Sequence, residues 1–97
     1  MPKTLPPVHP GEVLREEFMK PLGISINMLA RELHIPTSRV SQIVNEQLGI
    51  SADTAMRAAR YFGTTPEFWL NLQSRYDLLS VKDQEKIIQK QVHPLTA

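Results

Sequence analysis

The sequence predicts an all-α protein, a compact bundle of five to six helices formed by one domain of 97 residues. Three observations support this fold class. Apolar residues recur at helical spacing in successive segments. Capping residues, prolines and glycines separate those segments, and the alternation typical of β-strands never persists. Apolar residues make up 41% of the chain, which is enough for one modest core.

The first two predicted helices follow a proline-rich arm over residues 1–9, which should be extended because proline fixes φ and lacks an amide hydrogen. The first helix should begin at Pro10, a residue suited to the first helical position, and should end at Pro21. The second should run from Ser25, whose hydroxyl can cap a helix, to Leu33.

The third predicted helix begins at Pro36 or Thr37 and ends near Asn45. Because proline has no capping oxygen, we expect Thr37 to provide the cap. The fourth segment, "SADTAMRAARYFG", has Ser51 as its cap and Gly63 at the left-handed position that ends many helices.

The fifth predicted helix opens with a Thr65 cap and with Pro66 at its first position. A weaker sixth helix, "SVKDQEKIIQKQV", has Ser80 as a possible cap and few apolar residues. These segments divide the chain into the arm of residues 1–9, a main helical domain over residues 10–79 and a helical or flexible tail over residues 80–97.

The second and third segments together have the spacing of a helix-turn-helix, which needs two short helices with buried residues at fixed offsets. Ala30 lies where the helices should approach most closely. His34 occupies the turn, where the backbone is usually left-handed, and histidine tolerates positive φ better than most residues. The apolar residues at the required offsets are Leu29, Leu33, Ile35, Val40 and Ile43.

The third segment combines this buried stripe with a polar face, which predicts that it enters the major groove of DNA. Arginine can bind guanine through two hydrogen bonds, and glutamine can bind adenine in the same way. Polar groups at helix ends bind phosphates. The predicted DNA-binding residues are Ser25, Asn27, Thr37, Ser38, Arg39, Ser41, Gln42 and Asn45.

The fifth segment has more apolar residues than one amphipathic stripe can bury in so small a chain. We interpret the stripe of Trp69, Leu72, Tyr76 and Leu79 as core. The surplus predicts a homodimer built mainly by the fourth and fifth segments, with assistance from the tail. The predicted interface residues are Phe68, Leu70 and Leu78.

Over about residues 8–79 the sequence resembles the HigA antitoxins of the Cro-like, or Xre-type, helix-turn-helix class. The stretches that resemble them are "HPGEVLREEFMKPLGIS" and "ADTAMRAARYFGTTPEFWLNLQSRYDL", with the helix-turn-helix between them. The resemblance implies a Cro/lambda-repressor-like five-helix domain and a dimer that represses its own operon at a palindromic operator. It also implies a HigB-type partner, a toxin that cleaves mRNA as RelE does.

Two positions depart from the family pattern. Glu46 begins the run "EQL", where the family usually has glycine followed by basic residues, and Ile26 replaces a common glutamine. Both departures remove expected phosphate contacts, and the carboxylate of Glu46 is expected to repel phosphate.

Other classes of function have weaker support in the sequence. The formal net charge of +1 neither favours nor excludes a nucleic-acid partner. The chain has no cysteine, which excludes disulfides and fits a cytoplasmic protein. No apolar run is long enough to span a membrane, and the histidines do not have the spacing of metal ligands. No nucleophile–base pair or cofactor motif indicates an enzyme. The open alternatives are a solitary helix-turn-helix repressor without a toxin and a helical protein-interaction module.

Overall fold

The computed structural model describes residues 7–95, which form six helices and no β-strand. Helix α1 covers residues 10–22 and has three parts, Pro10–Val13, the π-helical Leu14–Met19, and Lys20–Leu22. The others are α2 (Ile26–Leu33), α3 (Thr37–Val44), α4 (Ala52–Phe62), α5 (Pro66–Ser80) and α6 (Glu85–Gln91), with a 3₁₀ turn at Lys82–Gln84 before α6. The all-α prediction is confirmed.

Helix α1 begins at Pro10 as predicted, but the prediction that Pro21 ends it is wrong. Proline normally breaks a regular α-helix by clashing with the carbonyl four residues earlier. Here the preceding turn has π-helical hydrogen bonding, so its carbonyls do not have regular α-helical positions. The helix therefore passes through Pro21, and Gly23 ends it with a left-handed φ of 66°.

Side-chain caps define the starts of three helices as the sequence predicted. The hydroxyls of Ser25, Ser51 and Thr65 accept hydrogen bonds of 3.1, 3.2 and 3.1 Å from the backbone N–H three residues on. Two other predicted caps are wrong. Thr37 is already helical and Pro36 occupies the cap position without a side-chain bond, whereas Ser80 is the last residue of α5.

The core lies where α1 to α5 converge. Trp69 of α5 is fully buried at its centre, and its indole Nε1 donates a 2.8 Å hydrogen bond to Thr64 Oγ1. The ring of Phe18 on α1 lies 5.1 Å from that of Trp69 and 5.0 Å from that of Phe62 on α4. These aromatic contacts join α1, α4 and α5 beneath the α2–α3 pair, whose buried apolar residues belong to the same core.

The C-terminal part of the chain is much less buried. Every described residue from 80 to 95 is exposed, including the apolar side chains of α6. Isolated helices of this length are marginal in water, so α6 gains little stability from its own hydrogen bonds. This exposed segment follows α5, which supplies the largest buried side chain of the core.

Candidate nucleic-acid interface

Helices α2 and α3 form the helix-turn-helix that the spacing predicted. His34 takes the left-handed conformation, with φ at 58°, and the Ile35 amide donates a 3.1 Å hydrogen bond to the Ala30 carbonyl. Ala30 is 4% exposed, which permits the close approach of the two helices. The predicted apolar residues at the fixed offsets are all buried: Leu29, Leu33, Ile35, Val40 and Ile43.

The outer face of α3 presents the predicted DNA-binding side chains to solvent. Thr37, Ser38, Arg39 and Gln42 are exposed, whereas Ser41 is half-buried. Asn45 follows the helix and is exposed, and its Nδ2 lies 3.3 Å from Ser41 Oγ. One helix therefore brings six of the eight predicted residues together, with hydroxyl, amide and guanidinium groups that suit base edges and phosphates.

The other two predicted residues, Ser25 and Asn27, lie at the start of α2 and are exposed. The Ser25 oxygen already accepts a hydrogen bond from the Met28 amide, so its hydroxyl proton stays available to donate. Both side chains sit in the first turn, where backbone amides and the helix dipole favour an anion.

The turn after α3 changes the interpretation of Glu46. Its φ is 62°, and its carboxylate accepts a 3.1 Å hydrogen bond from Arg15 Nη2 of α1. The same guanidinium donates through Nη1 to the Val44 carbonyl and through Nε, at 3.0 Å, to Glu16. Hydrogen bonds to Glu16 and Glu46 raise the pKa of Arg15. Arg15 thus pairs with the carboxylate that the sequence predicts to repel phosphate.

The loop between α3 and α4 extends the same surface. Gln73 of α5 fixes it, since its Oε1 accepts a 2.7 Å hydrogen bond from the Ile50 amide. Arg39 shares a shallow cavity of about 230 Å³ with Leu48, Gly49, Ser51 and Thr54. The start of α4 therefore lies beside the outer face of α3. Sequence reasoning missed Arg15 and this loop, because their contacts join residues far apart in the chain.

The three residues predicted to form a dimer interface differ in their surroundings. Phe68 is 38% exposed but makes an edge-to-face contact with Trp69, with ring centroids 5.0 Å apart. Leu70 is half-buried and packs against the core, whereas Leu78 is 68% exposed. Beside Leu78, a cavity of about 470 Å³ is lined by Val81, Ile88 and others from the α5–α6 region.

An exposed polar helix held on a second helix by a left-handed turn defines the helix-turn-helix class of DNA-binding proteins. No three His, Cys, Asp or Glu side chains within residues 7–95 lie close enough to hold a metal ion. In the same part of the chain, no helix has both the length and the hydropathy needed to cross a membrane.

Comparison with known proteins agrees with this class. Residues 16–69 match the helix-turn-helix family. Virulence-associated protein I of Dichelobacter nodosus is 51% identical over 86% of this chain and 78% of its own. A HigA-family addiction module antidote protein of Coxiella burnetii is 51% identical, with a TM-score of 0.84 over 94% of this chain and 100% of the other.

A third relative is the antitoxin HigA of Pseudomonas aeruginosa, solved with the higBA promoter. It is 47% identical, with a TM-score of 0.86 over 93% of this chain and 99% of the other. The chain therefore belongs to the helix-turn-helix family and, within it, to the HigA antitoxins.

Proposed function

We propose that this chain is an antitoxin that represses its own operon and neutralises a RelE-type toxin that cleaves mRNA. One observation carries the DNA-binding part of the proposal. The P. aeruginosa HigA, solved with its promoter, is 47% identical over 93% of this chain. The exposed polar face of α3 provides the groups that such binding needs.

In the proposed mechanism, α3 enters the major groove as the recognition helix. Arg39 donates two hydrogen bonds to a guanine, and Gln42 pairs with an adenine edge. Ser25, Asn27 and Asn45 contact phosphates and set the register of the protein on the duplex. Thr37, Ser38 and Ser41 provide short hydroxyl contacts along the same groove.

The low charge of the motif requires two copies on the operator. Residues 25–45 contain Arg31 and Arg39 against Glu32 alone, so one protomer neutralises few phosphates. A dimer doubles those contacts on a palindromic operator and matches its two-fold symmetry. The salt dependence of binding should still be shallow for a DNA-binding protein.

We propose that the toxin is a HigB-type ribonuclease and that both proteins act in the cytoplasm, where mRNA and the operator are accessible. Support for this part comes from the antitoxin names of the relatives. Co-expression with the product of the adjacent gene should give a stable complex and relieve its toxicity. Failure to co-purify, with toxicity unchanged, would favour a solitary repressor.

Operator binding is tested by a gel shift with the promoter of this gene and a scrambled duplex of equal length and composition. The proposal expects a salt-sensitive shift that is at least about a thousandfold tighter on the promoter. Equal affinity for both duplexes, or no shift at micromolar protein, would overturn it and support a protein-interaction module.

A further inference from the structure

We propose that Arg15 of α1 is a positioning residue that sets the orientation of the recognition helix α3 in the groove. The proposal rests on the proposed function, operator binding, and adds a residue that lies outside the helix-turn-helix itself. Arg15 acts through α3, since its guanidinium is engaged with protein groups on three sides.

The contacts of Arg15 lie at the C-terminal end of α3. Nη1 donates to the Val44 carbonyl, and Nη2 donates to Glu46 at 3.1 Å. The last carbonyls of a helix have no partner within the helix and bear partial negative charge, which a guanidinium satisfies well. Because the guanidinium is planar and rigid, two bonds from it fix a direction as well as a distance.

A second contact of α1 acts on the same end of α3. The backbone at Gly11 lies so close to α3 that a Cβ there would come within 1.8 Å of the Ile43 carbonyl oxygen. Gly11 and Arg15 are four residues apart, on one face of α1. They therefore hold three neighbouring positions of α3 and its turn, namely Ile43, Val44 and Glu46.

The turn after α3 shows why such support is needed. Glu46 has a φ of 62°, a strained conformation for a residue with a side chain. The turn has backbone bonds of its own, with the Glu46 amide 3.0 Å from the Ile43 carbonyl oxygen. Arg15 holds the Glu46 carboxylate and so stabilises the unusual geometry next to Asn45, a proposed phosphate contact.

Two simpler roles for Arg15 make different predictions from positioning. If Arg15 only stabilises the fold, its loss lowers the melting temperature and leaves the affinity of the folded protein unchanged. If Arg15 only neutralises Glu46, its loss weakens binding to every duplex, and removing the Glu46 charge restores it. Positioning instead affects the operator more than a scrambled duplex, because base contacts depend on orientation and phosphate attraction depends on charge.

The test uses the full chain and the variants Arg15→Gln, Arg15→Lys and Arg15→Gln/Glu46→Gln. The control is Arg60→Gln, which removes an equal charge from an exposed arginine of α4. Affinities for the promoter and for the scrambled duplex are measured at two salt concentrations, well below each melting temperature. Wild-type protein is measured first, and if it does not prefer the promoter, the proposed function fails before the role of Arg15 is tested.

Arg15→Gln and the double variant should each lose roughly tenfold in promoter affinity, the effect of losing a charge-assisted hydrogen bond. Affinity for the scrambled duplex should fall by much less in Arg15→Gln, through the lost charge alone, and should stay near wild type in the double variant, which keeps the net charge. Arg60→Gln should keep the wild-type ratio of the two affinities. Full recovery in the double variant, or a wild-type ratio in folded Arg15→Gln, would overturn the proposal. If Arg15→Gln does not fold, Arg15→Lys decides, because lysine lacks the planar fork: a lowered ratio supports positioning and a wild-type ratio refutes it.

Discussion

Arg39 and Gln42 are the exposed side chains of α3 whose hydrogen-bonding groups best match base edges. Arg39→Ala and Gln42→Ala should each cost about 1–3 kcal/mol in promoter binding and relax base preference at one position. Titrations against the promoter and single-base variants would measure both effects. Asn45→Ala, which removes a proposed phosphate contact, should weaken binding to all duplexes alike.

The double variant Arg39→Ala/Gln42→Ala provides the decisive result for α3. Unchanged promoter affinity and unchanged base preference in that variant would show that another surface recognises the operator. Arg60→Ala is a suitable control, because it removes an equal charge from an exposed position of α4.

His9 should make the stability of the fold depend on pH. Its imidazole is 3% exposed, accepts a 2.8 Å hydrogen bond from the Gly11 amide through Nδ1, and lies against Tyr76. Burial lowers the pKa of His9, although Glu46 and Asp77 oppose this and Arg15 adds to it. The unfolded chain, with a histidine pKa of about 6.5, therefore binds the proton more tightly than the folded protein.

That difference stabilises the folded protein above about pH 6.5 and is lost as the pH falls below that value. Urea unfolding between pH 5 and pH 7.5 should show this loss in wild-type protein. His9→Asn keeps a capping acceptor but does not titrate, so its free energy of unfolding should change less over the range. Parallel curves for the two proteins would show that His9 does not titrate on unfolding.

Between the helices, Gly11 permits a close approach of the α1 backbone to α3. Gly11→Ala should cost about 3 kcal/mol in stability, because its Cβ would meet the Ile43 carbonyl oxygen at 1.8 Å. Gly23→Ala is the matched control: no atom lies within 4 Å of its Cβ, and its φ of 66° should cost about 1 kcal/mol. Urea denaturation would measure the free energy of unfolding of both variants. Equal losses of stability would mean that α1 can shift away from α3 easily.

The helices predicted correctly are those whose boundaries depend on local chemistry. Ser25, Ser51 and Thr65 cap their helices through hydrogen bonds to the amide three residues on. Both partners of each bond therefore lie within one short stretch of sequence. Pro21 and Thr37 behave differently from prediction because the π-helical turn of α1 and the cap position of Pro36 depend on backbone geometry that no residue pattern displays.

The candidate site divides in the same way. The polar face of α3 follows from helical periodicity, so its residues could be predicted from the sequence. Arg15 and Glu46 are 31 residues apart in the chain, and Gln73 lies 23 residues from Ile50. Such pairs depend on how the helices pack. From the sequence alone, Glu46 is only a negative charge at a position where the family usually has glycine.

The low net charge of the complete chain favours two copies on the operator. The formal net charge is only +1, so a single copy gains little from the phosphate backbone. The described residues extend over 52 Å, with the exposed α6 following α5. The proposed interface in this C-terminal region uses none of the exposed residues of α3.

We therefore predict a two-fold dimer that dissociates when Leu78 becomes charged. Leu78 is 68% exposed and lines the cavity between α5 and α6, so its substitution tests the interface without disturbing the core. Leu70 is a poorer probe because it packs against the core. Leu78→Asp should be a monomer in sedimentation velocity at micromolar concentration, where wild-type protein and the control Leu22→Asp, at a 63% exposed leucine of α1, should be dimers.

Loss of the dimer should also weaken promoter binding, because two recognition helices about 34 Å apart must engage half-sites one helical turn apart. A wild-type monomer that binds the palindrome one to one would refute the dimer. If wild-type protein is a dimer and Leu78→Asp leaves it intact, the interface lies elsewhere. The proline-rich arm of residues 1–9, of which the structure describes only residues 7–9, is then the next segment to test, by deleting residues 1–6 and repeating the sedimentation.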